Sequence, residues 1–100
     1  MTTPLFEKIY TQLRKVPKGK VTTYGDLAHS VGSNAARAVG MAMNRNEDAP
    51  RTPCHRVVGS NGALVGYAHG LQRKIELLNS EGVQVENGKI KDFEKKRFRF

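Results

Sequence analysis

Phe6, Ile9, Tyr10 and Leu13 fall at i, i+3, i+4 and i+7, which places four large apolar side chains on one stripe of a helix. The spacing predicts a first helix over roughly residues 4–15, stopped by Pro17-Lys18-Gly19 because proline lacks the amide hydrogen and clashes with the turn before it. A short extended piece, Lys20-Val21-Thr22, then leads to Thr23. Its hydroxyl suits the cap of a second helix, in which Tyr24, Leu27, Ala28 and Val31 recur at helical spacing and Asp26 stands in the first turn. Gly32-Ser33-Asn34 reads as a turn, with Ser33 or Asn34 capping a third helix whose buried face is Ala36, Val39, Gly40 and Met43. Two short helices about a three-residue turn predict a helix-turn-helix.

Residues 46–53 have no apolar period and two prolines, so they read as loop. The loop delivers an extended stretch, Pro53-Cys54-His55-Arg56-Val57-Val58, whose valines are strand-like, and a turn from Gly59 to Gly62 follows. Leu71, Ile75 and Leu78 predict a last helix ending at Gly82. Val83-Gln84-Val85 and Ile90 flank Asn87-Gly88 as a small hairpin. In the tail, Phe93 to Phe100, basic residues alternate with aromatics, and packing on the domain or tracking phosphates are both open to it. No repeat or linker interrupts the chain. The expectation is one domain over residues 1–100, mainly α, with a winged-helix-like helix-turn-helix and a small β element.

Composition adds a partner. Seventeen Lys and Arg against nine Asp and Glu give a formal charge of +8, which points to a polyanion, nucleic acid first. The single cysteine excludes an intramolecular disulfide, and with three scattered histidines it does not make a structural zinc site, so no metal is expected. No apolar run approaches a membrane span and the first residues lack a secretory pattern. An intracellular protein is therefore expected, cytoplasmic and nucleoid-associated, or nuclear in a eukaryote.

The chemistry centres on Cys54-His55. A thiol is a nucleophile only as thiolate, and a neighbouring imidazole, directly or through water, can take its proton. Isolated cysteines are usually inert core, and adjacent residues of an extended strand point to opposite faces, so adjacency alone does not guarantee contact. Something must also orient the imidazole; a carboxylate elsewhere in the chain could do so, and Glu81, beside the glycine that ends the last helix, is the candidate. Arg37 stands among alanines at the start of the third helix. Small neighbours allow close approach to a groove, with Arg37 entering it; a solvent-facing arginine is the other reading.

The ordered blocks Thr22-Thr23-Tyr24-Gly25-Asp26-Leu27-Ala28, Ala35-Ala36-Arg37-Ala38-Val39-Gly40, Pro53-Cys54-His55-Arg56-Val57-Val58, Gly66-Tyr67, and Lys74 to Leu78 with Glu81-Gly82 resemble the C-terminal, DNA-binding and catalytic domain of the O6-alkylguanine-DNA alkyltransferases, the methylated-DNA–protein-cysteine methyltransferases. The likeness runs from about residue 5 to about residue 85. It implies double-stranded DNA containing O6-alkylguanine as partner, bound through the minor groove by a monomer, and a flipped base, since chemistry on a stacked base requires extrusion. Arg37 would fill the vacated space, with Ser33, Asn34, Ala35 and Ala36 beside it on the DNA. Tyr24 would press on the phosphate and donate a proton to the leaving guanine; packing inside the second helix is its alternative role. Cys54, His55 and Glu81 would form the relay through a water, and Asn46 would brace the active-site loop. Met43, Val57, Val58, Tyr67 and Lys74 would surround the base. Arg56 is assigned to structure or phosphate contact. The thioether product would consume the protein, one molecule per lesion, with no cofactor.

Three departures accompany the likeness. The family's additional N-terminal domain is expected to be missing, Ala68 and His69 replace residues that in relatives include a hydroxyl, and the turn between the second and third helices is one residue shorter than in some relatives. A sister group of small alkyltransferase-like proteins binds alkylguanine and passes it to nucleotide excision repair, but carries tryptophan or alanine where this chain has Cys54. A plain helix-turn-helix regulator would leave the Cys-His-Glu set without a use.

Overall fold

The Thr3 hydroxyl accepts from Phe6 N–H at 3.1 Å and Pro4 occupies the first turn, so helix α1 (Pro4–Leu13) starts where its missing amide costs nothing. Phe6, Ile9, Tyr10 and Leu13 are all buried, as their period requires. The helix stops two residues short of the expected end. Lys15 and Val16 N–H turn back to Gln12 and Leu13 carbonyls, both at 3.0 Å, and this tight turn swings Val16 into the core ahead of Pro17. The computed structural model describes residues 3–34, 36–49, 51–67 and 70–100. The expectations placed on Ala35, Ala68 and His69 lie outside the described residues.

Strand β1 (Thr22–Thr23) pairs in parallel with β2 (Val57–Val58), Thr22 opposite Val57 and Thr23 opposite Val58. Thr23 then caps α2 (Tyr24–Ser30), its hydroxyl accepting from Asp26 N–H at 3.0 Å, and α3 (Ala36–Asn44) follows after residues 31–35. Helices α2 and α3 form the helix-turn-helix, which rests on α1; the Tyr10 hydroxyl donates to the Ala42 carbonyl at 2.7 Å and ties α1 to α3. The inward face of α3 is Val39, Ala42 and Met43. This corrects the expected face: Ala36, the first residue of the helix, is exposed, and Gly40 is only half-buried because it borders a cavity rather than the core.

Successive residues of a strand point to opposite faces, and β2 uses this to divide the interior. Val57 belongs to a core with α1, α2, α3 and Cys54, whereas Val58 belongs to a second core with Val21, Leu78, Val83 and Ile90. Helix α4 (Leu71–Ser80) covers that second core with Leu78. The expected apolar stripe is partly wrong, since Leu71 is 46% exposed while Lys74 is fully buried. The C-terminus of α4 is a Schellman motif: Gly82, at φ +84°, donates to Asn79, and Val83 donates to Leu78 at 2.9 Å. Its apolar clasp is the Leu78–Val83 pair, both fully buried.

Strands β3 (Val85–Glu86) and β4 (Lys89–Ile90) form the expected hairpin. One further turn of helix, α5 (Phe93–Lys96), makes α4 not the last helix. The tail packs on the domain. Val21 N–H donates to Lys96 and Phe98 N–H to Val21, extending the β1 edge, and Arg97 grips the Asp26 carboxylate of α2 with two bonds of 2.8 and 2.9 Å. No helix among the described residues is long and apolar enough to cross a membrane.

Candidate active site and nucleic-acid interface

Cys54, His55 and Arg56 form a single 3-10 turn rather than the extended strand expected. Three residues per turn set neighbouring side chains about 120° apart instead of on opposite faces, so both Cys54 and His55 are drawn inside. The turn is anchored from behind. The Thr52 carbonyl accepts from Cys54 N–H at 2.9 Å and from Asn46 Nδ2 at 2.8 Å, while Asn46 Oδ1 accepts from Asp48 N–H. Thr52 is itself fully buried and its hydroxyl accepts from Arg14 Nε at 2.9 Å. Asn46 therefore pins the loop two residues before the thiol.

His55 Nε2 lies 2.9 Å from Glu81 Oε2. A carboxylate can only accept, so the imidazole carries its proton on Nε2 and leaves Nδ1 as a buried lone pair. Among the described residues, Nδ1 has no hydrogen-bond partner. Burial lowers the proton affinity of His55; the Glu81 hydrogen bond and charge oppose this, while the Arg56 and Lys74 charges add to it, and the net shift is downward. Burial pushes the Glu81 carboxyl up, but hydrogen bonds from Arg56 and His55 outweigh it and hold the group below the usual carboxylate range. The result is a neutral imidazole on an ionised carboxylate.

Cys54 forms part of the wall of a cavity of about 250 Å³ shared with Tyr24, Gly40, Met43, Asn44, Val65, Gly66 and Tyr67. That is smaller than the roughly 300–1,000 Å³ of sites for drug-sized ligands and suits a single flat ring system. A larger cleft of about 730 Å³ between α1 and residues 44–48 holds neither the thiol nor the imidazole. Burial raises the Tyr24 phenol, with the Cys54 charge adding to it. Burial, then the charge and hydrogen bonding of Cys54, push the Tyr67 phenol up to about 12. Both phenols keep their protons at neutral pH.

Of the residues expected around the base, Met43 and Tyr67 line the cavity. Val57, Val58 and Lys74 do not: the valines fill the two cores, and Lys74 sits behind the wall. Lys74 Nζ donates to the Val57 carbonyl at 2.7 Å and the Gly66 carbonyl at 3.1 Å, stapling β2 to the pocket loop. Its burial lowers the ammonium to about 8. Gly40, Asn44, Val65 and Gly66 escaped sequence reasoning. Gly40 and Asn44 follow from Met43 once the face of α3 is known, Gly66 stands beside Tyr67 in a block already quoted, and Val65 carries no local signal.

On the other side, Arg37 and Ala36 are exposed on α3, Asn34 is exposed and Ser33 half-buried in the turn before it. Met41, one helical turn beyond Arg37, is 44% exposed and was not anticipated. Arg56 is turned into the protein onto Glu81, at 2.9 Å from Nε to Oε1.

A helix-turn-helix that presents an arginine and small residues outward, backed by a buried cysteine at a small cavity, defines a helix-turn-helix domain of the nucleic-acid-binding class. The chain belongs to the family described as 6-O-methylguanine DNA methyltransferase, DNA binding domain, which it matches over residues 4–83. It is 49% identical over 79 residues to a methylated-DNA–protein-cysteine methyltransferase of Methanosarcina acetivorans, 77% of this chain and 51% of that protein. A bifunctional methyltransferase/endonuclease of Picrophilus torridus is 43% identical over 97 residues, 96% of this chain and 32% of that protein. The chain thus spans about a third to a half of these curated relatives. Among solved structures, S. pombe Atl1 in complex with damaged DNA containing O6-carboxymethylguanine superposes with a TM-score of 0.86 at 31% identity, over 100% of both chains. Mycobacterium tuberculosis OGT in complex with DNA gives 0.79 at 38% identity, over 82% of this chain and 51% of that one.

Proposed function

We propose that the protein repairs double-stranded DNA by moving the alkyl group of O6-alkylguanine irreversibly onto Cys54. The observation that carries this reading is the thiol at a base-sized cavity, next to an imidazole whose Nε2–H is committed to Glu81 and whose Nδ1 is open. His55 Nδ1 takes the Cys54 proton through a water, and the Tyr67 hydroxyl steadies the thiolate. The sulfur attacks the alkyl carbon, the S–C bond forms as the C–O6 bond breaks, and the electron pair leaves on guanine. Guanine takes a proton from Tyr24, which recovers one from His55 by way of solvent. The net exchange is alkylguanine plus thiol to guanine plus thioether, so each molecule acts once. Arg37 enters the minor groove and occupies the space of the extruded base, as a buried duplex position must be filled or its stacking lost.

A second reading is supported by the full-length match to Atl1: an alkyltransferase-like role in which the lesion is held for nucleotide excision repair. Cys54 separates the two. Under the first, Cys54→Ala abolishes alkyl transfer while keeping tight binding to an O6-methylguanine duplex, followed by labelled-methyl transfer and by fluorescence anisotropy. Equal repair by the wild type and this variant would remove the transfer reading.

A further inference from the structure

Glu81 serves two donors at once. Its Oε2 accepts from His55 Nε2 at 2.9 Å and from Arg56 Nη2 at 2.6 Å, while Oε1 accepts from Arg56 Nε at 2.9 Å. The third guanidinium nitrogen, Nη1, donates to the Val16 carbonyl at 2.7 Å. All three nitrogens are engaged within the protein and the side chain is only 11% exposed, so a phosphate contact, one of the roles expected from the sequence, is removed.

We infer that Arg56 is a positioning residue that keeps His55 a neutral base by holding the carboxylate His55 also needs. A lone buried Glu-His pair favours charge on both partners, because the carboxylate stabilises the imidazolium. An imidazolium has no lone pair and cannot take the thiol proton. A guanidinium locked onto both carboxylate oxygens satisfies Glu81 without a charged histidine and adds a positive charge that opposes protonation of the ring. Among the described residues, the charged groups that act on His55 are Arg56 from its own turn and Lys74 and Glu81 from α4 and its cap. Glu81 alone among them favours the imidazolium, apart from a Cys54 thiolate. The fork geometry matters as well. A lysine could place one point charge there but could not span both oxygens and the Val16 carbonyl.

The inference deepens the proposed transfer reaction and rests on it for its kinetic consequence, so two readouts are needed. The first is the rate of Cys54 methylation by an O6-methylguanine duplex across pH in wild type, Arg56→Met and Arg56→Lys. The second is the titration of His55 by nitrogen NMR of the free protein, which requires no transfer. In Arg56→Met, the imidazole titrates about one pH unit higher and the acid limb of the rate moves with it, so activity lost below neutrality returns in alkali. Arg56→Lys shifts both by less, and it carries the test alone if the methionine variant does not fold. An unmoved His55 titration, or a rate lowered by one factor at every pH, overturns the role. Absence of methylation in the wild type would defeat the transfer reading instead and leave the NMR test standing.

Discussion

The two sides of the site are built by opposite rules. On the thiol side, Cys54, His55 and Lys74 are buried and the Glu81 and Arg56 side chains nearly so, and apart from the open Nδ1 the polar groups of His55, Glu81, Arg56 and Lys74 are held by partners 2.6–3.1 Å away. On the α3 side, Arg37 is exposed, makes no ion pair with another described residue, and stands among small residues. Proton transfer needs a dry, pre-arranged set of groups, since a carboxylate in water would not hold an imidazole in one tautomer. Docking needs the reverse, a cation that has not spent its charge inside the protein. The chain places the two on neighbouring elements, with Tyr24, Gly40, Met43 and Asn44 on the wall between them.

If that contrast is right, changes on the thiol side register in folding stability and changes on the α3 side only in binding. The largest effect is expected from Glu81→Ala, which strands the Arg56 guanidinium in the interior. Urea denaturation should show a loss of about 3–5 kcal/mol. A loss within experimental error of zero would mean that the carboxylate is solvated in solution. Lys74 gives an intermediate, pH-dependent effect. The folded chain releases its proton at about 8 and the unfolded chain near 10.5, so between these values the unfolded state binds more protons and stability rises with pH. The gain across that window is up to about 3 kcal/mol. Comparison of wild type with Lys74→Met by denaturant midpoints at about pH 7.5 and about pH 9.5 isolates it, the methionine variant lacking this rise.

The smallest energetic change is expected at Arg37. Arg37→Ala should leave the denaturation midpoint unchanged, weaken binding to lesion-bearing duplex about tenfold, and lower the salt slope of binding by about one contact. Single-stranded lesion DNA, which has no stack to fill, should lose less. Equal losses on duplex and single strand would take the wedge role away from Arg37.

The same contrast governs what could be read in advance. Helix α1, the Thr23 cap and the Gly82 stop were legible because each is written in a few adjacent residues: an apolar period, a hydroxyl three residues before an amide, a glycine where φ is positive. The 3-10 turn at Cys54 was not, since three residues are too few to show a period. The resemblance placed Lys74 around the base, and its structural place behind the wall had no local signal, since the two carbonyls that offset its burial stand 8 and 17 positions away. Arg56 meets Glu81 across 25 residues. No local pattern encodes that pairing, and Glu81 stood out in the sequence only by its place beside the glycine that ends the helix.

The central claim is that Cys54 accepts the alkyl group, and intact-protein mass spectrometry after incubation with an O6-methylguanine duplex tests it most directly. The account predicts one added methyl per molecule, mapped to the peptide containing Cys54 and saturating at one equivalent of DNA. Unchanged mass with tight lesion binding retained would contradict it and place the protein with those that hold the lesion for other repair factors.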